Sequence, residues 1–139
     1  LERGCWIFRN DRARVRERVA WALERFPALT ENRRLLAGTL SGGLQRMLDI
    51  AKSLLSNPSL LLVDEPTVGL SPVVAQAIYS ELQALKGEGR TILLVDQNVR
   101  SAMRVADYVY ILDLGKVEVH GSRDAFEGKL GEVVRRWLL

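Results

Sequence analysis

A single cysteine, a single histidine and an aromatic content of 6% set the first limits on this 139-residue chain. With only Cys5 available, no internal disulfide can form, and a reducing compartment is the easier fit. Long apolar runs are also lacking. Uninterrupted apolar stretches reach four or five residues, against the roughly 20 needed to cross a bilayer. Residues 1–20 are rich in arginine and hold no apolar block of the kind a secretion signal needs. The net charge of +3 is local. Nine arginines against five acidic residues lie in residues 1–34, and the remainder is slightly acidic. A basic arm of this kind meets nucleic acid or lipid head groups in some proteins and is a solvated helix face in others. No internal repeat or low-complexity segment occurs. What is present is 47% apolar, enough for the core of one domain. The first residue is Leu1 rather than Met, so the expectation is a piece of something longer.

The apolar spacing Val15, Val19, Ala22, Leu23, Phe26 predicts a helix over 12–26, stopped by Pro27, with a polar connector over 30–34. A second helix is expected from about Gly43 to Ser56, its apolar stripe formed by Leu44, Met47, Leu48, Ala51, Leu54 and Leu55, with Ser41 as N-cap. Asn57-Pro58 ends it. Residues 59–63 then read as a strand whose unbroken apolar run, Leu60 to Val63, predicts burial on both faces of a parallel sheet. A helix over 73–86, closed by Gly87 and Gly89, leads to a second such strand over 91–95. Residues 99–106 form a short helix. Tyr108–Leu112 and Val117–His120 form a hairpin around residues 113–116. His120 reads as a strand residue of that hairpin rather than as a ligand. A last helical segment opens at Ser122-Arg123-Asp124 and is interrupted by Gly128 and Gly131.

Two short runs carry chemistry. Leu60-Leu61-Leu62-Val63-Asp64-Glu65-Pro66 is an apolar strand ending on adjacent carboxylates, at the strand end where open α/β sheets bind ligands. Asp64 suits a Mg²⁺, reached through water, because that ion keeps several waters and takes few protein carboxylates. Glu65 suits the orientation and deprotonation of a water. Leu40-Ser41-Gly42-Gly43-Leu44-Gln45 opens the preceding helix and offers a hydroxyl, free N–H groups and a helix dipole to an anion. Each run alone is compatible with a plain strand end or a plain N-cap. Their joint order, with a 3.6-period helix and Asn-Pro between them, is far harder to reach by chance.

From Ala37 to Asn98 the chain resembles an ATP-binding-cassette ATPase, and more loosely so over nearly its whole length. The resemblance implies an α/β fold of the P-loop NTPase type, here its C-terminal portion. A helical-subdomain remnant with the signature loop and helix would cover residues 1–57. The distal part of the RecA-like ATP-binding core, a parallel sheet with a terminal β-hairpin, would cover 58–139. It implies ATP and Mg²⁺ as cofactors. Ser41, Gly42, Gly43 and Gln45 become the signature loop, acting on the ATP of the opposite subunit in a head-to-tail dimer. Asp64 and Glu65 match the Walker B pair, and Gly69, Leu70 and Ser71 fall in the D-loop at the dimer interface. The wording of Phe26-Pro27, Ala37–Gly43, Gly69-Leu70-Ser71-Pro72 and Leu94–Asn98 is most like the ATP-binding subunit of branched-chain amino acid importers; urea and amide importers use closely similar wording. That points to partners in a second ATP-binding subunit and transmembrane permease subunits, at the cytoplasmic face of the inner membrane. The Arg12–Phe26 helix would then be a permease-facing element, with Arg16 and Arg18 on its basic side.

Departures from the family pattern are part of the reading. Gln97 stands where most cassettes carry a His; its amide can bond a γ-phosphate or the attacking water but cannot carry charge. Position 71 is Ser where many relatives have Asp, and position 44 is Leu where a polar residue is usual. No Gly-x-x-x-x-Gly-Lys-Ser/Thr occurs in the 139 residues, so this chain alone is expected neither to bind nor to hydrolyse ATP appreciably. Two other readings stand beside the importer: a cassette ATPase of nucleic-acid maintenance or translation using the basic arm, and a non-catalytic module that lends its signature loop to a partner's site.

Overall fold

In a computed structural model the structure describes residues 1–126. The expected helical segment past Phe126, with Gly128 and Gly131, lies outside the described residues. Two compact units are present: Leu1–Val95, and a second that begins at Asp96.

The first unit starts with a 3₁₀ segment, Glu2–Phe8, followed by α1, Arg12–Arg25. Asp11 caps α1 by accepting the Arg14 N–H at 3.0 Å. Pro27 does more than stop this helix. It occupies the first turn of a new one, α2 (Pro27–Glu31), where its missing N–H would have had no helical partner. The expected connector over 30–34 is therefore helical as far as Glu31. After a 3₁₀ turn at Ala37–Thr39 comes α3, Gly42–Leu54, which buries Ile50, Ala51 and Leu54. Cys5, Ala22 and Leu55 form a fully buried cluster, backed by Leu1, Phe8, Val15, Val19 and Trp21. Burial pushes the Cys5 thiol pKa up.

Polar groups stitch α1 to its neighbours. Arg18 donates to the carbonyls of Leu55 (3.1 Å) and Leu54 (2.9 Å), satisfying the open C-terminal end of α3. Its guanidinium also stacks on Trp21. Arg25 pairs with Glu81 and Glu88, and these bonds outweigh burial and hold its pKa up.

Asn57, in the left-handed region at φ 57°, turns the chain out of α3. Strand β1 (Leu60–Asp64) pairs in parallel with β2 (Thr91–Val95), Leu60 opposite Thr91 and Asp64 opposite Val95. Between them runs α4, Pro72–Gly87, which buries Ile78, Tyr79, Leu82 and Leu85. The expectation that both faces of these strands are buried is corrected. Leu61 is 6% exposed, whereas Leu60, Leu62, Leu93 and Val95 are 51%, 68%, 57% and 56% exposed. Strand side chains alternate between faces, and only one face is packed among the described residues.

In the second unit, Asn98 caps α5 (Val99–Val105) by accepting the Ser101 N–H. Strands β3 (Tyr108–Asp113) and β4 (Lys116–Ser122) form the expected antiparallel hairpin, with a register shift at Ile111/Leu112. Leu114 and Gly115 both have positive φ, the requirement of a type I′ two-residue turn. His120 is indeed a strand residue; its Nδ1 lies 2.8 Å from the Tyr108 hydroxyl. A short α6, Arg123–Phe126, follows.

Candidate functional site

The loop before α3 is held by its own side chains. Ser41 is extended (φ −60°, ψ 155°), and its Oγ accepts the Leu44 N–H at 3.4 Å. That use consumes a lone pair and leaves the hydroxyl proton free to donate. Gln45 reaches back and donates its amide N–H groups to the carbonyls of Leu40 (3.0 Å) and Ala37 (3.3 Å). Its nitrogen is thus a brace for the turn, and only Oε1 remains for another partner. The N–H groups of Gly42 and Gly43 stand in the first turn, outside the helical ladder. The two glycines differ. A side chain on Gly42 would meet nothing within 4 Å, whereas on Gly43 it would lie 3.0 Å from Val74 Cγ1. Gly43 is where the start of α3 packs on the start of α4.

The second turn begins at the end of β1. Asp64 is exposed and ends the strand. Glu65 is half-buried and adopts φ 40°, a left-handed conformation that costs a non-glycine residue about 1–2 kcal/mol. Its N–H still bonds the Val95 carbonyl at 2.8 Å, extending the β1–β2 ladder by one rung. Its own carbonyl accepts from Arg46 Nη2 at 3.2 Å and, at 3.5 Å, from the Val68 N–H. Pro66 is fully buried, and Thr67 Oγ1 lies 3.3 Å from the buried Tyr79 hydroxyl. Gly69, at φ 74°, lets the chain turn back, and Ser71 caps α4 by accepting the Val74 N–H at 3.5 Å.

Ser41, Gly42, Gly43 and Gln45, Asp64 and Glu65, and Gly69, Leu70 and Ser71 therefore all lie in one compact unit. The α3 start touches the α4 start through Gly43–Val74, and α3 touches the carboxylate turn through Arg46. Gln97 belongs to the second unit, is exposed, and precedes the α5 cap. No group of three or more His, Cys, Asp or Glu suited to a metal occurs among the described residues. A lone exposed carboxylate such as Asp64 fits Mg²⁺, which takes one or two carboxylates alongside phosphate oxygens and water.

The sequence reading missed Arg46, and a signal for it existed. Residues 46, 50 and 54 share one side of a helix, and Ile50 and Leu54 are buried, so a cation there had to find a partner. Tyr79 was missed because it lies beside, not on, the apolar stripe of α4.

A family model described as ABC transporter matches residues 3–68. The chain is 42% identical over 115 residues to the high-affinity branched-chain amino acid transport ATP-binding protein BraG of Pseudomonas aeruginosa, covering 83% of this chain and 49% of that one. It is 40% identical over 113 residues to the probable branched-chain amino acid transport ATP-binding protein LivF of Archaeoglobus fulgidus, covering 81% and 48%. Other ABC families match too, among them the phosphate import ATP-binding protein PstB of Thermococcus kodakarensis, at 40% identity over 133 residues, 93% of this chain and 52% of that one. Among solved structures, a cassette from Clostridium perfringens that is part of the cbiONQ transporter complex superposes with TM-score 0.80 at 27% identity, covering 97% of this chain and 55% of that one. A dimeric bacterial ABC transporter cassette superposes with TM-score 0.71 at 26% identity, covering 81% and 49%. The chain spans about half the length of each relative. No helix among the described residues is long and apolar enough to cross a membrane.

Proposed function

Because the chain belongs to the ABC transporter ATP-binding family and has the fold of part of its cassette, we propose that it is the signature-and-Walker-B portion of the ATP-hydrolysing subunit of an importer, with branched-chain amino acids as the solute. The observation that carries this reading is the joining, within one unit, of the serine-capped helix that starts at Ser41–Gly43 to a strand-end carboxylate pair, through the Arg46–Glu65 hydrogen bond. Branched-chain specificity draws its support from the similarity to BraG and LivF together with the wording of residues 69–72 and 94–98.

Under this proposal residues 1–57 form the helical subdomain and 58–139 the distal part of the nucleotide core. A head-to-tail partner cassette holds the ATP that this chain's signature turn meets, and permease subunits hold the pair at the cytoplasmic face of the inner membrane. When bound, Mg·ATP would supply the γ-phosphoryl group that is transferred. Asp64 would hold the metal through water. Glu65 orients a water and takes its proton. Ser41 donates its free hydroxyl proton, and Gly42 and Gly43 their first-turn N–H groups, to the phosphate bound by the partner. Gln45 keeps that turn closed and offers Oε1. Gly69, Leu70 and Ser71 carry the crossing segment to the dimer seam. Gln97 positions the water or γ-phosphate by an uncharged hydrogen bond. Arg16 is exposed and available to a permease. Arg18 is already bonded within the unit, so its loss would act through folding.

Uptake of labelled leucine, isoleucine and valine by cells dependent on this gene tests the proposal. Glu65→Gln should lower uptake by about a hundredfold or more, as expected when a general base is removed, while the purified 139-residue chain alone shows no ATP turnover. Uptake at the unsubstituted rate would contradict the assignment of Glu65. Turnover by the chain alone, abolished by the same substitution, would contradict the need for a phosphate-binding loop that these 139 residues do not contain.

A further inference from the structure

Glu65 is held at both ends of its own peptide. Its N–H is tied to β2 through the Val95 carbonyl, and its carbonyl is tied to α3 through the Arg46 guanidinium. Between those two ties the residue adopts φ 40°, a conformation that a glutamate leaves readily unless its surroundings fix it. The second protein donor to that carbonyl, the Val68 N–H, is a long 3.5 Å contact from within the same turn. Arg46 is the only group from another element that the structure shows on it among the described residues. It is part-buried, where a charge-assisted hydrogen bond to a carbonyl is stronger than at an open surface.

We propose that Arg46 is a positioning residue that couples the signature turn to Glu65. This rests on Glu65 acting as the base in the reading above. Arg46 lies five residues after Ser41 on the same helix, so the element whose first turn faces the partner's phosphate also fixes the backbone of the carboxylate that activates water. A shift of α3 on engaging that phosphate is transmitted to Glu65 without any side-chain contact at the carboxylate. Arg46 itself touches neither phosphate nor water in this scheme. Its effect is on the orientation of Glu65, and hence on turnover rather than on nucleotide affinity.

Two measurements test this separately from the function. The first is amide hydrogen exchange of the 139-residue chain, with Arg46→Met and Arg46→Lys. Removing the clamp should speed exchange at the Glu65 amide by about tenfold, while Val63 and Leu93, whose amides lie in the interior of the β1–β2 ladder, stay within about twofold; Lys, a single point donor, should restore part of the protection. Unchanged exchange at Glu65, or an equal loss across both strands, overturns the clamp. The second is steady-state kinetics of the complete subunit assembled with its partner cassette and permease. Arg46→Met should lower kcat by about tenfold with KM for ATP within about twofold, and Arg46→Lys should recover part of the loss. An unchanged kcat, or a loss confined to KM, overturns the coupling. Should Glu65→Gln leave turnover intact in that assembly, the role of Glu65 as base is refuted and with it the coupling, while the exchange experiment still decides whether Arg46 holds the turn.

Discussion

At its C-terminal end α3 is wrapped by other parts of the chain. Leu54 and Leu55 are fully buried, Arg18 closes the last carbonyls, and a side chain on Gly4 would lie 2.7 Å from the Lys52 carbonyl oxygen. At its N-terminal end the same helix is nearly bare. Ser41, Gly42 and Gln45 are exposed, Gly42 has open space where a side chain would go, and the turn is held by a serine cap and one glutamine. The difference separates two jobs along one element. The buried end anchors the helix in the unit. The open end leaves a hydroxyl, two N–H groups and the positive end of the dipole for something outside the unit.

Substitutions at the two ends should therefore part stability from function. Gly4→Ala places a methyl against backbone at α3's buried end and should lower unfolding free energy by about 3 kcal/mol, read from urea denaturation. Arg18→Met, which keeps an apolar stem over Trp21 but strips two carbonyls of their donors, should cost about 2 kcal/mol. Gly43→Ala must displace Val74 and should cost about 1 kcal/mol. Gly42→Ala, in open space at the start of a helix, should be neutral or stabilising by about 0.5 kcal/mol, yet should lower turnover of the assembled ATPase. A Gly42→Ala that destabilises as much as Arg18→Met would erase the contrast between the ends.

The same contrast explains what the sequence made legible. The serine cap of α3, the parallel pairing of β1 with β2 and the β3–β4 hairpin are written in local patterns: a cap residue, an apolar run, and a turn that needs positive φ. Ties between segments far apart in the chain left fainter marks. Arg18 reads as one more basic residue on an exposed helix until α3 is seen to end beneath it. The left-handed backbone of Glu65 has no composition signal, and the hydrogen bonds that flank it, to Val95 and from Arg46, join segments far apart in the chain. The burial of β1 and β2 was overestimated for a related reason. An all-apolar strand states what it can bury against, and it does not state which covering elements the described residues include.

Under the proposed function, Ser41 of one chain and Glu65 of another serve the same ATP. Mixed dimers of the assembled ATPase test it directly, with Ser41→Arg and Glu65→Gln placed either on one chain or on opposite chains. If the site is shared, splitting the two substitutions between chains spares one of the two sites and leaves about half the turnover, whereas placing both on one chain damages both sites and leaves almost none. The reverse pattern, half the turnover with both on one chain and none when they are split, would place Ser41 and Glu65 at the same chain's own nucleotide and contradict the account.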